Sequence, residues 1–260
     1  MKRGPSSLLR FIVMLAVCTL ALQLVFAARI AMMRFVDPQS TSFQRSEIWR
    51  LLVDKHRIAW SQQWVAGTQM SPNLKRAVIA SEDAGFADHS GVEWDALEKA
   101  WEKNVRAEAL TERANERAAK QEPARKAVAP SPAARAPKVV GGSTITQQLA
   151  KNLFLGGERS LLRKAQELVL TWEMELLLGK QRILEIYLNS VEWGEGVFGA
   201  EAASRRYFRA GAGSLSAGQA AQLAVLLPAP KRFEKRIGSP YVTGRAATIA
   251  ARMGGVELPR

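Results

Sequence analysis

The sequence predicts a mainly α protein carried on an N-terminal apolar helix, and three observations predict it. Helix-start signatures recur along the chain: Ser71-Pro72, Thr144 with Gln147, Ser160, and Ser216 with Gln219. Apolar residues after them repeat at helical spacing, while no stretch sustains strand alternation and no internal repeat is apparent. Near the N-terminus, Phe11 to Ala28 forms an apolar run in which Gln23 is the one strongly polar side chain.

Composition narrows the partners. With 260 residues and 47% hydrophobic content, the chain can build one domain of good size, or one domain plus attachments. A net charge of +13 demands a surface of opposite sign: nucleic acid, an anionic membrane or a phosphate-bearing substrate. The single cysteine, Cys18, excludes an intrachain disulfide and a cysteine metal cluster. Two histidines, His56 and His89, exclude a histidine-rich metal site.

Taken in order, Lys2, Arg3 and Arg10 precede the apolar run and favour a cytoplasmic N-terminus, although Arg29 and Arg34 weaken the contrast. A cleaved signal peptide is the rival reading, since Val25-Phe-Ala-Ala28 offers small residues at its end. The run is long for a signal core, which favours an uncleaved anchor over 11–33 behind a cytoplasmic tail of 1–10. Either way the remainder is exported, which argues against nucleic acid as the partner. Residues 37–67 mix Trp49, Trp60 and Trp64 with charges, fitting either a membrane interface or core aromatics.

Ser71-Pro72 then opens a helix that delivers Glu82 and Asp83 at its C-terminal end. A carboxylate there meets the negative end of the helix dipole, which disfavours its charged form and suits a general base. Two surface acids at a helix end fit these residues as well. Residues 94 to about 106 read as a further helix. From Lys103 to Lys138 the composition shifts to nine Lys or Arg, four Glu and four Pro, with almost no large apolar residue. Such a segment cannot offset its ordering entropy by burial, so 107–138 reads as a basic, Pro/Ala-rich flexible insertion.

The stretch from Gly141 to Leu155 follows. Thr144 and Gln147 form a capping box, and Thr144, Gln148 and Lys151 then share one helix face while Ile145, Leu149 and Leu153 share another. A polar cleft wall and an ordinary amphipathic surface fit this pattern equally. Ser160 caps a long helix running to about Gly179, with Arg163, Lys164 and Glu167 clustered in its first two turns. That cluster is either a surface ion pair or a place for a phosphate. Helices at 180–189, 200–208, 216–227 and 240–253 complete the pattern, with a glycine-punctuated turn through Gly194, Gly196 and Gly199.

Several stretches occur in a distinctive order: Glu82-Asp83-x-x-Phe86-x-x-His89-x-Gly91, the Gly141–Leu155 stretch, Arg163-Lys164-x-x-Glu167, and Lys180-x-x-Ile183-Leu184-Glu185-x-Tyr187-Leu188-Asn189. Ala202-Ala203-x-x-x-Tyr207-Phe208 and Leu215-Ser216 through Pro230 continue it. Together they resemble the peptidoglycan glycosyltransferases, over roughly Ser71 to Pro230. With an anchor and no room for a transpeptidase domain, the chain looks like the monofunctional biosynthetic type. The resemblance implies a lysozyme-like, two-lobed glycosyltransferase domain over 34–260, with a membrane-facing lobe.

It also implies polymerisation of lipid II into glycan strands outside the cytoplasmic membrane of a bacterium. Glu82 matches the family's general base, and Glu167 its second catalytic glutamate, which orients the cations, contacts a divalent metal or assists the leaving group. Lys151, Arg163 and Lys164 match positions that stabilise the diphosphate. Asp83, Phe86, Ser143, Thr144 and Gln148 match further substrate-holding positions. A divalent cation (Mg or Mn) at the diphosphate is an option the resemblance leaves open. Expected partners are lipid II, the nascent glycan strand, the membrane, and cell-wall synthesis or division proteins. A peptidoglycan-cleaving enzyme needs a protonated acid and no diphosphate cradle, so the cations favour synthesis. A membrane-anchored cationic scaffold would leave the set of catalytic positions unexplained.

Overall fold

In the computed structural model, the described residues are 7–95, 98, 102–103, 105–107, 109–113, 142–158 and 160–259. Most of the expected flexible insertion therefore lies outside them. Two compact units emerge, residues 1–91 with 144–260, and residues 92–143. In the second unit the described residues between 94 and 113 are helical, those at 109–113 included, beyond the end expected near 106.

The first unit begins with α1 (Ser7–Met32), whose 26 residues extend about 39 Å, more than a bilayer core of about 30 Å requires. Its N-terminal half is exposed all round. From Gln23 onward it docks on protein: Gln23 and Gln166 exchange amide hydrogen bonds of 2.7 and 3.0 Å, Phe26 meets Phe154 edge-on at 5.4 Å, and Ile30 is fully buried. The apolar helix thus reaches the core along one side only: Ile30 is buried and Phe26 is partly buried, while Leu24, Val25 and Met32 stay exposed.

After α1, Thr41 and Gln44 form a capping box that starts α2 (Ser42–Lys55), an element hidden from the sequence reading by its scattered charges. Strand β1 (Ser61–Gln62) is followed by α3 (Pro72–Glu82), capped by Ser71 with proline in its first turn. Helix α4 (Ile145–Phe154) has the expected Thr144–Gln147 capping box, and α5 (Leu161–Leu177) is capped by Ser160. Helix α6 (Lys180–Ser190), β2 (Glu192–Gly194), β3 (Val197–Phe198) and α7 (Ala200–Phe208) come next. Then α8 (Ala217–Leu226), the single turn α9 (Pro230–Phe233) and α10 (Pro240–Arg252) close the unit.

Two packing groups make the core. Helix α3 lies against α8 and α10, burying Leu74, Ala77, Val78 and Ile79. Helix α4 lies against α2, α5 and α6, burying Ile145, Leu149 and Leu153, while α5 also receives α1. The sequence predicts no sheet, yet three short strands pair in the order β1-β3-β2, β1 parallel and β2 antiparallel to β3. Two- and three-residue strands are too short to show alternation. Trp60 stacks on Phe198 at 4.5 Å, which makes it a core aromatic, and Trp64 packs against the core beneath Arg182. Trp49 alone of the three remains largely exposed.

Gly196 turns the β2–β3 hairpin at φ +71°, and a Cβ there would lie 1.9 Å from the Ala59 carbonyl oxygen. Gly196→Ala should therefore destabilise the fold by about 1–3 kcal/mol, read as a lower melting temperature of the detergent-solubilised protein.

Candidate active site

Glu82 is the last residue of α3, where the chain leaves the helix through Asp83. Its carboxylate accepts from Gln148 Nε2 at 3.1 Å and from the Ser81 hydroxyl at 3.4 Å. Burial pushes the Glu82 carboxyl above the ordinary range, and the neighbouring Asp83 charge adds to it. The Gln148 and Ser81 hydrogen bonds and the Arg245 charge on α10 pull the other way. A partly desolvated carboxylate with a raised pKa is the electrostatic profile of a proton acceptor.

Asp83 follows directly as the C-cap of α3. Its side chain is fully buried, with Oδ2 accepting the Ile145 backbone N–H at 2.9 Å and Oδ1 accepting from His89 Nε2 at 2.7 Å. His89 Nδ1 accepts the Gly91 N–H at 3.1 Å, so the ring proton sits on Nε2, pointing at Asp83. Both oxygens are therefore engaged by protein, and no surface is left for a substrate. Thr144 is likewise buried, its hydroxyl accepting from Gln147 N and donating to the Gly91 carbonyl at 2.7 Å. Phe86 is fully buried under the Lys180 ammonium, 4.4 Å from the ring centre. All three side chains are thus buried, held by helix ends or core. Ser143, half-buried, directly precedes the Thr144 cap.

On α4, Gln148 and Lys151 are one turn apart on the same face. Gln148 is held from behind by the Tyr187 hydroxyl of α6, which donates to Oε1 at 3.0 Å. Lys151 reaches solvent, yet the surrounding protein desolvates its ammonium enough to push the pKa below that of an ordinary lysine. Arg163 and Lys164 act in the same direction, and Glu167 opposes them.

Across from it, Glu167 is buried and gripped by two cations: Arg163 Nη1 donates to Oε2 at 2.8 Å, and Lys164 Nζ pairs with Oε1. Three cations against one carboxylate leave this wall strongly positive. The buried Arg163 Nε finds no acceptor among the described residues, so a donor remains available for an anion.

Gln148, Lys151 and Arg163 line a cleft of about 630 Å³, faced by Phe43, Glu47 and Glu192. The acidic side escaped the sequence reading, since nothing local marks it. Burial, with the nearby Glu47 charge, pushes Glu192 up to about 7 against the pull of Lys231, which bridges Glu47 and Glu192. Glu82 and Gln148 are thus joined across α3 and α4 by a hydrogen bond that sequence spacing could not establish, while Arg163, Lys164 and Glu167 pair within α5.

The transglycosylase family model matches residues 52–114 and 124–254. Over 244 residues the chain is 48% identical to a biosynthetic peptidoglycan transglycosylase of Paraburkholderia xenovorans (strain LB400), covering 94% of this chain and 90% of the relative. Proteins of the same description from Burkholderia thailandensis and Burkholderia pseudomallei are 50% identical over 240 residues, covering 92% of this chain and 83% of each relative.

Asp83→Asn keeps the shape but removes the charge that accepts the Ile145 N–H and the His89 proton. The expected outcome is a loss of about 1.5–3 kcal/mol in chemical denaturation.

Proposed function

Because this chain belongs to the transglycosylase family, we propose that it polymerises lipid II into β-1,4-linked glycan strands for the bacterial cell wall, with Glu82 as the general base. One observation carries the reading. A desolvated carboxylate at the end of α3 is joined through Gln148 to the helix face that bears Lys151, opposite the Arg163–Glu167–Lys164 cluster.

In this reading Glu82 takes the proton from the 4-hydroxyl of an acceptor GlcNAc. The oxygen attacks the anomeric carbon of the lipid-linked strand, the bond to the diphosphate breaks, and configuration inverts. Lys151, Arg163 and Lys164 stabilise the charge on the departing undecaprenyl diphosphate, so no protonated acid is needed. Glu167 acts by positioning: its carboxylate holds Arg163 and Lys164 side by side where mutual repulsion would part them.

A resident metal fits the donor set poorly. Among the described residues no three carboxylate, histidine or cysteine side chains gather, and both Glu167 oxygens are taken by cations. A divalent Mg or Mn ion would need the substrate's phosphate oxygens as its main ligands, and no step is assigned to it.

The membrane reading rests on α1, whose N-terminal half is apolar and exposed, and on Leu161 and Leu162 at the start of the adjoining α5, 90% and 84% exposed. We place α1 as a single-pass anchor in the cytoplasmic membrane, with the N-terminus cytoplasmic and the catalytic domain outside. The two leucines then meet the lipid tail of the substrate at the outer leaflet. Cell-wall synthesis or division proteins are the proposed protein partners.

Glu82→Gln should lower the rate of lipid II polymerisation about 10²–10⁴-fold with the substrate KM little changed; near-normal polymer formation in detergent would remove Glu82 from the role. Since the base must be ionised and its pKa is raised, kcat/KM should fall as the pH drops, with its inflection above the ordinary glutamate value. Lys151→Ala should slow donor use by about tenfold or more, measured as lipid-linked donor consumed; an unchanged rate would exclude it from the cradle.

A further inference from the structure

The Tyr187 hydroxyl has no part in the reaction as described, although the Gln148 amide it holds touches the base. Tyr187 is fully buried on α6, and its hydroxyl lies 3.0 Å from Gln148 Oε1, while Gln148 Nε2 lies 3.1 Å from Glu82 Oε2. The two ends of a glutamine amide are nearly the same shape, so only their partners decide which way it faces. An ionised carboxylate can only accept, and it requires the NH₂ end. A tyrosine hydroxyl can donate, and it satisfies the carbonyl end.

We propose that Tyr187 is a positioning residue for the base: by donating to Gln148 Oε1 it locks the amide with its donor toward Glu82, keeping that carboxylate ionised despite its burial. The proposal rests on Glu82 being the base. The hydroxyl is suited to the task because burial, then the charges of Glu82 and Asp83, hold it protonated well beyond the ordinary tyrosine range. Without the hydroxyl the amide can turn its oxygen toward the carboxylate, and repulsion then favours the protonated, inactive acid.

The other groups facing Glu82 are accounted for. Ser81 and Asp83 come from its own helix end, Arg245 from α10, and Tyr187 from α6. Asp83 is committed to His89 and Ile145, and Lys151 stands one turn beyond Gln148 among cations of its own. Gln148 is therefore the neutral donor that offsets desolvation of Glu82, and Tyr187 sets its direction.

The test is the pH profile of lipid II polymerisation by the full-length protein in detergent. Tyr187→Phe should move the acid limb of kcat/KM up by about one pH unit, a tenfold loss on that limb, with the plateau and KM within about twofold of the parent. Gln148→Met should move the limb in the same direction, and Tyr187→Phe added to Gln148→Met should move it no further, since the hydroxyl acts only through the amide. An unmoved limb in Tyr187→Phe, or additive shifts in the double variant, would overturn the proposal. If Tyr187→Phe fails to fold, as judged by its melting curve, Gln148→Met with a parental acid limb does the same. Glu82→Gln separates the two levels: an active variant overturns the base assignment, whereas an inactive one beside an unmoved Tyr187→Phe limb overturns the role of Tyr187 alone.

Discussion

The buried Asp83 carboxylate is the constraint on which the site depends. It sits where α3 ends and, across 62 residues of sequence, accepts the first backbone N–H of α4. An anion at a helix N-terminus satisfies a donor the helix cannot satisfy itself and meets the positive end of its dipole. The effect is to join the end of one helix to the start of another. Glu82, one residue before the junction, is thereby brought beside Gln148, one turn into α4. His89 and the Thr144–Gly91 bond brace the junction from the loop that follows α3. A fully buried charge would be costly by itself; two hydrogen bonds from fixed donors make it tolerable and directional.

From that junction the site divides electrostatically. At the Glu82 end, desolvation works against the charged form, opposed by hydrogen bonds from Gln148 and Ser81 and by the Arg245 charge. One turn along α4 stands Lys151, and on α5 two more cations, Arg163 and Lys164, grip a single buried carboxylate. The first environment suits a proton acceptor. The second suits an anion, and the unsatisfied Arg163 Nε belongs to it. A reaction that takes a proton at one end and releases a diphosphate at the other needs both, at fixed separation, which is what a single rigid helix wall supplies.

The apolar N-terminal helix is docked on the catalytic unit. The last turns of α1 meet α4 through the Phe26–Phe154 contact and α5 through the paired amides of Gln23 and Gln166, and Ile30 is buried in the core. In the proposed membrane placement, a helix that begins in lipid and ends docked on the protein fixes the distance from the membrane to the cation cluster, which lies on α5. For a substrate whose diphosphate stays at the membrane surface, that fixed height matters as much as the charge.

Capping residues are local chemistry, so Ser71, Thr144, Ser160 and Ser216 marked their helices in the sequence, and Glu82 could be placed at a helix end from spacing alone. The order of motifs identified the family, and the i, i+3 and i, i+4 spacing of Arg163, Lys164 and Glu167 already implied their contact. Long-range closure was not legible. Asp83 and Phe86 are buried by α4 and Lys180, which lie far along the chain, so spacing alone could not show it. The strands were invisible because pairing, not side-chain pattern, defines elements two residues long. Glu192 and Tyr187 had no local signature at all, since a desolvated acid and a hydroxyl aimed at an amide exist only once distant helices pack. The sequence by itself determined most of the helices, the apolar N-terminal helix among them, and the residues able to do the chemistry; the tertiary structure decided which side chains are buried and which line the cleft, because burial and hydrogen-bond partners are properties of packing between segments.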